Sequence, residues 1–152
     1  MPQANVGLSP EDLSQTDSPA LHIPRLGGSL VCVSHQNNFL NQSGNINSTV
    51  IMSGASGPGG FAGLFRVSGY VKISTPATVG VMDVLLSWND AVAQSRAVIS
   101  ALSMIVGGVY SDFSAIVRIV AGEDIGISTV IAGLVGTPSY SLYTRIEPLQ
   151  IN

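Results

Sequence analysis

Gly63-Leu-Phe-Arg-Val-Ser-Gly-Tyr-Val-Lys-Ile-Ser74 is the stretch that decides the fold. Phe65, Val67, Val71 and Ile73 fall on one side of an extended backbone, and Arg66, Ser68 and Lys72 on the other. Successive side chains of a strand point to opposite faces, so this pattern predicts a strand with one face in a core and one outside. The same alternation returns twice. Phe113, Ala115, Val117 and Ile119 oppose Ser114 and Arg118, and Tyr140, Leu142 and Ile146 oppose Ser141, Arg145 and Glu147.

Five further runs rich in Val, Ile and aromatics are bounded by Gly, Pro, Asn or Asp: Ser29–Ser34, Thr49–Ser53, Gly80–Trp88, Gln94–Ser103 and Ile125–Ala132. With Gly63–Ser74, Phe113–Val120 and Ser139–Glu147 they predict eight strands. Asp90 to Ile105 is rich in Ala and also fits a helix; a turn at Trp88-Asn-Asp90 followed by a strand is preferred. Asn37–Ser48 and Ser53–Gly60 read as loops, and Ala121-Gly-Glu-Asp124 as a hairpin turn. The expected fold class is all-β, an eight-stranded antiparallel jelly roll or β-sandwich with an extended N-terminal arm. An immunoglobulin-like sandwich is the nearest rival. No fixed-period repeat suggests a propeller or solenoid.

Residues 1–26 differ from the β domain expected over residues 27–152. They hold four of the eight prolines, Pro2, Pro10, Pro19 and Pro24. Prolines so spaced forbid a long helix or a central strand. The segment reads as an arm or a loose tail, with Leu8, Leu13, Leu21, Ile23 and Leu26 as scattered apolar anchors.

Composition narrows the function. The chain has 152 residues, 10% of them charged, and a net charge of -3. Typical soluble domains carry about 25% charged residues. Without a basic surplus there is little to neutralise phosphates, which argues against nucleic acid as a partner. The scarcity of acids, bases and metal ligands argues against an enzyme and against a cofactor. There are 20 Ser and 7 Thr, so the polar surface is mostly neutral. Such a surface suits a chain whose faces are covered by copies of itself or by a large partner. The longest apolar stretch, Val98–Val109, is too short for a membrane span. One cysteine, Cys32, excludes a disulfide within the chain, and no secretion signal opens it, so synthesis in a cytoplasm is expected.

Individual groups carry little chemistry. The Gly-rich stretch Gly54–Gly60 lacks the Lys and helix start of a phosphate loop. Cys32 and His35, three apart on a strand, point to opposite faces; Cys32 is expected in the core and His35 at the start of a loop. Glu123-Asp124 reads as a solvated turn, with a calcium site as the alternative. Asp83 is expected to bond to a neighbour or to lie at an interface. Trp88, Tyr110, Tyr140 and Tyr143 are core or interface residues, or else a shelf for stacking sugars.

Several segments resemble a known family. Gly63–Ser74 opens a strand in its manner, and Leu85-Leu-Ser-Trp88 with Asn-Asp resembles its strand-to-turn segment. Val120-Ala-Gly-Glu-Asp-Ile125 resembles one of its turns, and Tyr140-Ser-Leu-Tyr-Thr-Arg-Ile-Glu147 its closing strand. Together, over about residues 61–149, they look like the jelly-roll structural domain of tailed bacteriophages, most like a capsid cement or decoration protein. The resemblance implies a homotrimer on the outer capsid surface of a virion, with the major capsid protein as partner and neither nucleic acid nor membrane. Leu8, Leu13, Leu21, Ile23 and Arg25 are then candidates for capsid contact by the arm. Tyr70, Tyr143 and Arg145 are candidates for the trimer interface. The alternative is a phage tail or receptor-binding module that recognises a host surface glycan through the loops Asn37–Ser48 and Ser53–Gly60.

Overall fold

The computed structural model describes residues 35–54 and 62–151. The expected arm, with Leu8, Leu13, Leu21, Ile23 and Arg25, lies outside the described residues, as do Cys32, the run Ser29–Ser34 and most of the Gly-rich loop.

Eight strands and no helix make up the described residues. They are β1 (His35–Gln42), β2 (Thr49–Met52), β3 (Gly63–Thr75), β4 (Val79–Asn89), β5 (Ala93–Ser103), β6 (Tyr110–Ile119), β7 (Ile125–Val135) and β8 (Ser139–Ile151). They form two antiparallel sheets of four, ordered β1-β8-β3-β6 and β2-β7-β4-β5. First pairs with last, second with seventh, third with sixth and fourth with fifth. That is one long hairpin wrapped over itself, the jelly-roll arrangement. In the immunoglobulin rival the first and last strands lie in different sheets. Here β1 and β8 are hydrogen-bonded neighbours, which decides between the two.

The alternation read in the sequence is the alternation of burial. Phe65, Val67, Val71 and Ile73 of β3 are buried, and so are Phe113, Val117 and Ile119 of β6 and Tyr140, Leu142 and Ile146 of β8. Met82, Val84 and Leu86 of β4 and Ile125 and Ile127 of β7 close the core from the other sheet. The segment 93–103 is a strand, as preferred. Its turn falls at Asp90–Val92, where Ala91 takes a positive φ of 87°.

Two expectations change. The loop expected over Asn37–Ser48 is a strand through Gln42, and His35 begins that strand and not a loop. Its sequence, HQNNFLNQ, lacks the β-branched residues that mark strands, and pairing with β8 supplies the order that propensity does not. Asn37 Nδ2 also donates to the Ile51 carbonyl at 2.8 Å, and Thr144 Oγ1 to the Asn37 carbonyl at 3.2 Å. Ala121–Asp124 is not a hairpin turn, because β6 and β7 belong to different sheets. It carries the chain across the sandwich, with Gly122 at φ 85° and Asp124 Oδ1 accepting from the Gly54 N–H at 3.0 Å.

Candidate functional site

The outward face of the β1-β8-β3-β6 sheet gathers most of the protein's cations. Arg66, Lys72, Arg118 and Arg145 point outward there, four of the six basic residues, against the acidic Asp112 and Glu147. The face is therefore net positive on a chain whose total charge is -3. Glu147 holds Arg145 at 3.0 Å and lies 3.9 Å from Arg66. These exposed pairs orient side chains more than they stabilise the fold.

Strand register decides which residues meet. Tyr70 sits opposite Tyr143 on one side and Asp112 on the other. The Tyr70 and Tyr143 rings stack, with centroids 4.6 Å apart and planes at 21°. Tyr110 adds a third ring, tilted and 6.0 Å from Tyr70, with Lys72 Nζ 5.6 Å from its centre. One row along the strands, Ser68 sits between Arg145 and Ser114, and Gln36 lies beyond Arg145. Between these two cross-strand rows runs the row Thr144–Gly69–Phe113. Thr144 and Phe113 are buried, so their backbone, not their side chains, floors a trough. Gly69 cannot carry a side chain, because a Cβ there would collide with the Tyr143 carbonyl and the Phe113 ring. A shallow depression of about 510 Å³ lies over this row, whereas Gly69 shares the inward parity of Val67 and Val71 and its missing side chain makes room for the buried Phe113 ring.

The opposite outward face has another character. Val79, Val81, Val130, Leu134 and Val135 are exposed on β4 and β7, and Ile105 and Val106 follow β5. Asp83 stands among them, with its Oδ1 accepting from the Ala101 N–H at 2.6 Å, which matches the bonded role expected for it. Ala101 has a positive φ of 51°, at an irregularity in the β4–β5 ladder, so the carboxylate is turned onto backbone.

The structure brings Tyr70, Tyr143 and Arg145 onto one surface. It disperses the expected aromatic shelf: Tyr140 is fully buried, Trp88 packs against the core, and only Tyr110 and Tyr143 share a face. Glu123 and Asp124 end apart from other ligands, and no group of three His, Cys, Asp or Glu side chains among the described residues could hold a metal ion. Gln36, Ser68, Asp112 and Ser114 were missed by the sequence reading. Their outward parity was readable in part, but their meeting depends on the register of four strands distant in the chain.

No protein-family model matches the chain, nor does any curated protein sequence. The chain is similar in structure to a pentameric capsid protein isolated from metagenomic phage sequences, with a TM-score of 0.44 and 14% identity over 91% of this chain and 73% of that one. It is also similar to VP2 of infectious bursal disease virus in its subviral particle, with a TM-score of 0.45 and 14% identity over 75% of this chain and 33% of that one. A third likeness is to the sugar-binding C-terminal domain of EclA, with a TM-score of 0.44 and 9% identity over 76% and 79% of the two chains. These are likenesses of fold. Jelly rolls build both capsids and lectins, so role has to be argued from surfaces.

Proposed function

We propose that this chain is a non-enzymatic structural protein of a phage virion, a capsid cement protein that binds the outer shell as a trimer and stabilises it. The observation that carries the reading is the apolar outward face of the β2-β7-β4-β5 sheet. Exposed apolar patches beyond a few hundred Å² are uncommon on soluble monomers and mark contact surfaces. Obligate contacts between copies are the more apolar class of interface, so this face is proposed for the contact between copies, in place of the surface with Tyr70, Tyr143 and Arg145 that the sequence suggested. Attachment to the major capsid protein then falls to the arm over residues 1–26, through Leu8, Leu13, Leu21, Ile23 and Arg25. The turn and strand resemblances over residues 61–149 and the jelly-roll strand order support the same reading. The mechanism is mass action: whatever binds the assembled shell and not its parts favours the assembled state.

Quantitative mass spectrometry of purified particles tests this. A copy number in the hundreds, comparable to the major shell protein, is the expected result. A few to a few dozen copies would overturn it in favour of a tail or receptor-binding module.

A further inference from the structure

We propose that the open edge of β6 pairs with the same edge of a second copy, antiparallel and about a two-fold axis at Ala115. The strand's free backbone groups, its parity and the placing of its charges point to that one partner.

The described residues have four edge strands, β1 and β6 in one sheet and β2 and β5 in the other. An open edge is a template for another strand, and bulges or shortness block it. Three of these edges are blocked. β2 has only four residues, β1 is irregular between Phe39 and Gln42, and β5 is broken twice against β4, with Ala101 at a φ of 51°. β6 runs ten residues against β3 with no shift of register.

Its backbone groups divide by parity. Ile73 of β3 exchanges hydrogen bonds with Val109 and Gly108, at 3.0 and 2.8 Å. Bonding alternates along an antiparallel pair, so Ser111, Phe113, Ala115 and Val117 spend their backbone groups on β3. Asp112, Ser114, Ile116 and Arg118 turn theirs to the open edge, where no described residue meets them. The Val120 N–H, of that second parity, leaves β3 for the Asn89 carbonyl of β4 at 3.1 Å, as the alternation requires.

Charge fixes the register. Asp112 lies three residues before Ala115 and Arg118 three after. Both are exposed on the outward face, and neither has an ion pair among the described residues. The axis sets each Asp112 opposite Arg118 of the other copy, at both ends of the joint. Opposite charges facing each other across strands stabilise a pairing, and like charges oppose it. Ile116, 59% exposed in the single chain, gains Ile116 of the second copy as its diagonal neighbour. On the core side Phe113 comes opposite Val117, so apolar meets apolar. A shift of register in either direction separates the charges. A strand of another sequence could use the backbone groups, but the symmetric charges fit a copy of β6.

This joint is distinct from the contact proposed for the apolar face and does not rest on it. A two-fold joint closes on two copies, so it doubles whatever mass the other face sets. One strand buries little area, which places the joint among weak interfaces that form at high concentration. Sedimentation equilibrium of the full-length protein in low salt, from about 10 μM to about 1 mM, tests it. The mass is expected to double across that range. Asp112→Arg and Arg118→Asp each set like charges against each other at both ends, and each should weaken the doubling at least about tenfold. An equal mixture of the two variants restores opposite charges at both ends and should double as wild type does. Both variants should keep the wild-type melting temperature, because both side chains are exposed. No doubling by about 1 mM would overturn the proposal. So would doubling unchanged in both variants, or a mixture that recovers nothing. Doubling from one chain to two, and not from three to six, would support the joint and sink the trimer alone.

Discussion

Tyr140 shows how one residue ties the two sheets together. Its ring is fully buried in β8, and its hydroxyl donates to the Gly44 carbonyl at 2.7 Å while lying 2.8 Å from Thr129 Oγ1 of β7. Thr129 Oγ1 in turn accepts from the Ile46 N–H at 2.7 Å. One relay thus joins a strand from each sheet to the connection between β1 and β2. Removing the hydroxyl takes one partner from the buried Thr129 hydroxyl and one from the Gly44 carbonyl, so Tyr140→Phe is expected to cost about 1 kcal/mol in urea unfolding. Burial pushes the Tyr140 phenol above its ordinary value, against the lowering effect of its hydrogen bonds. The folded state therefore prefers the neutral phenol. That contribution is whole below the unfolded value of about 10 and is lost as pH rises through the higher folded value. Wild-type stability should fall above about pH 10 more steeply than that of Tyr140→Phe. Parity alone places Tyr140 in the core. Its partners are not legible, because Gly44 lies 96 residues away in the chain.

Strand β3 is the element that organises the first sheet, paired with β8 along one edge and β6 along the other. Phe65 faces Val117 across the β3–β6 ladder, and both are almost wholly buried. Phe65→Asp or Val117→Asp places an unpaired carboxylate in that contact, which costs more than a domain of this size has in reserve. Both variants are expected to lose the cooperative thermal transition, and native-like soluble protein from either would show the strand parity to be wrong. Strong alternation makes β3, β6 and β8 legible. It fails for β1, whose polar sequence becomes a strand only because β8 presents a free edge. It also fails at Ala121–Asp124, where Gly and Asp signal a turn without saying which sheet the next strand joins.

At the scale of the whole molecule, the described residues form a sandwich with two unlike outer surfaces, one aromatic and charged, the other apolar. If the apolar face joins copies, Val81→Asp should reduce the mass seen by multi-angle light scattering from three chains to one. Val81 is 41% exposed, so the substitution reaches the surface and leaves the core intact. An unchanged trimer would move the contact between copies to another surface.

Composition and period-2 patterning by themselves determined an all-β, weakly charged chain with its core residues on known sides of its strongest strands. Those are local properties, set by side chains a few residues apart on one strand. Pairing is not local. Only the tertiary structure decided that β1 lies beside β8, that Tyr70 stacks on Tyr143, and that Gln36, Ser68, Asp112 and Ser114 rim one trough. The physical reason is that a jelly roll joins strands from opposite ends of the chain, and the register of each pairing follows from burying every apolar face at once.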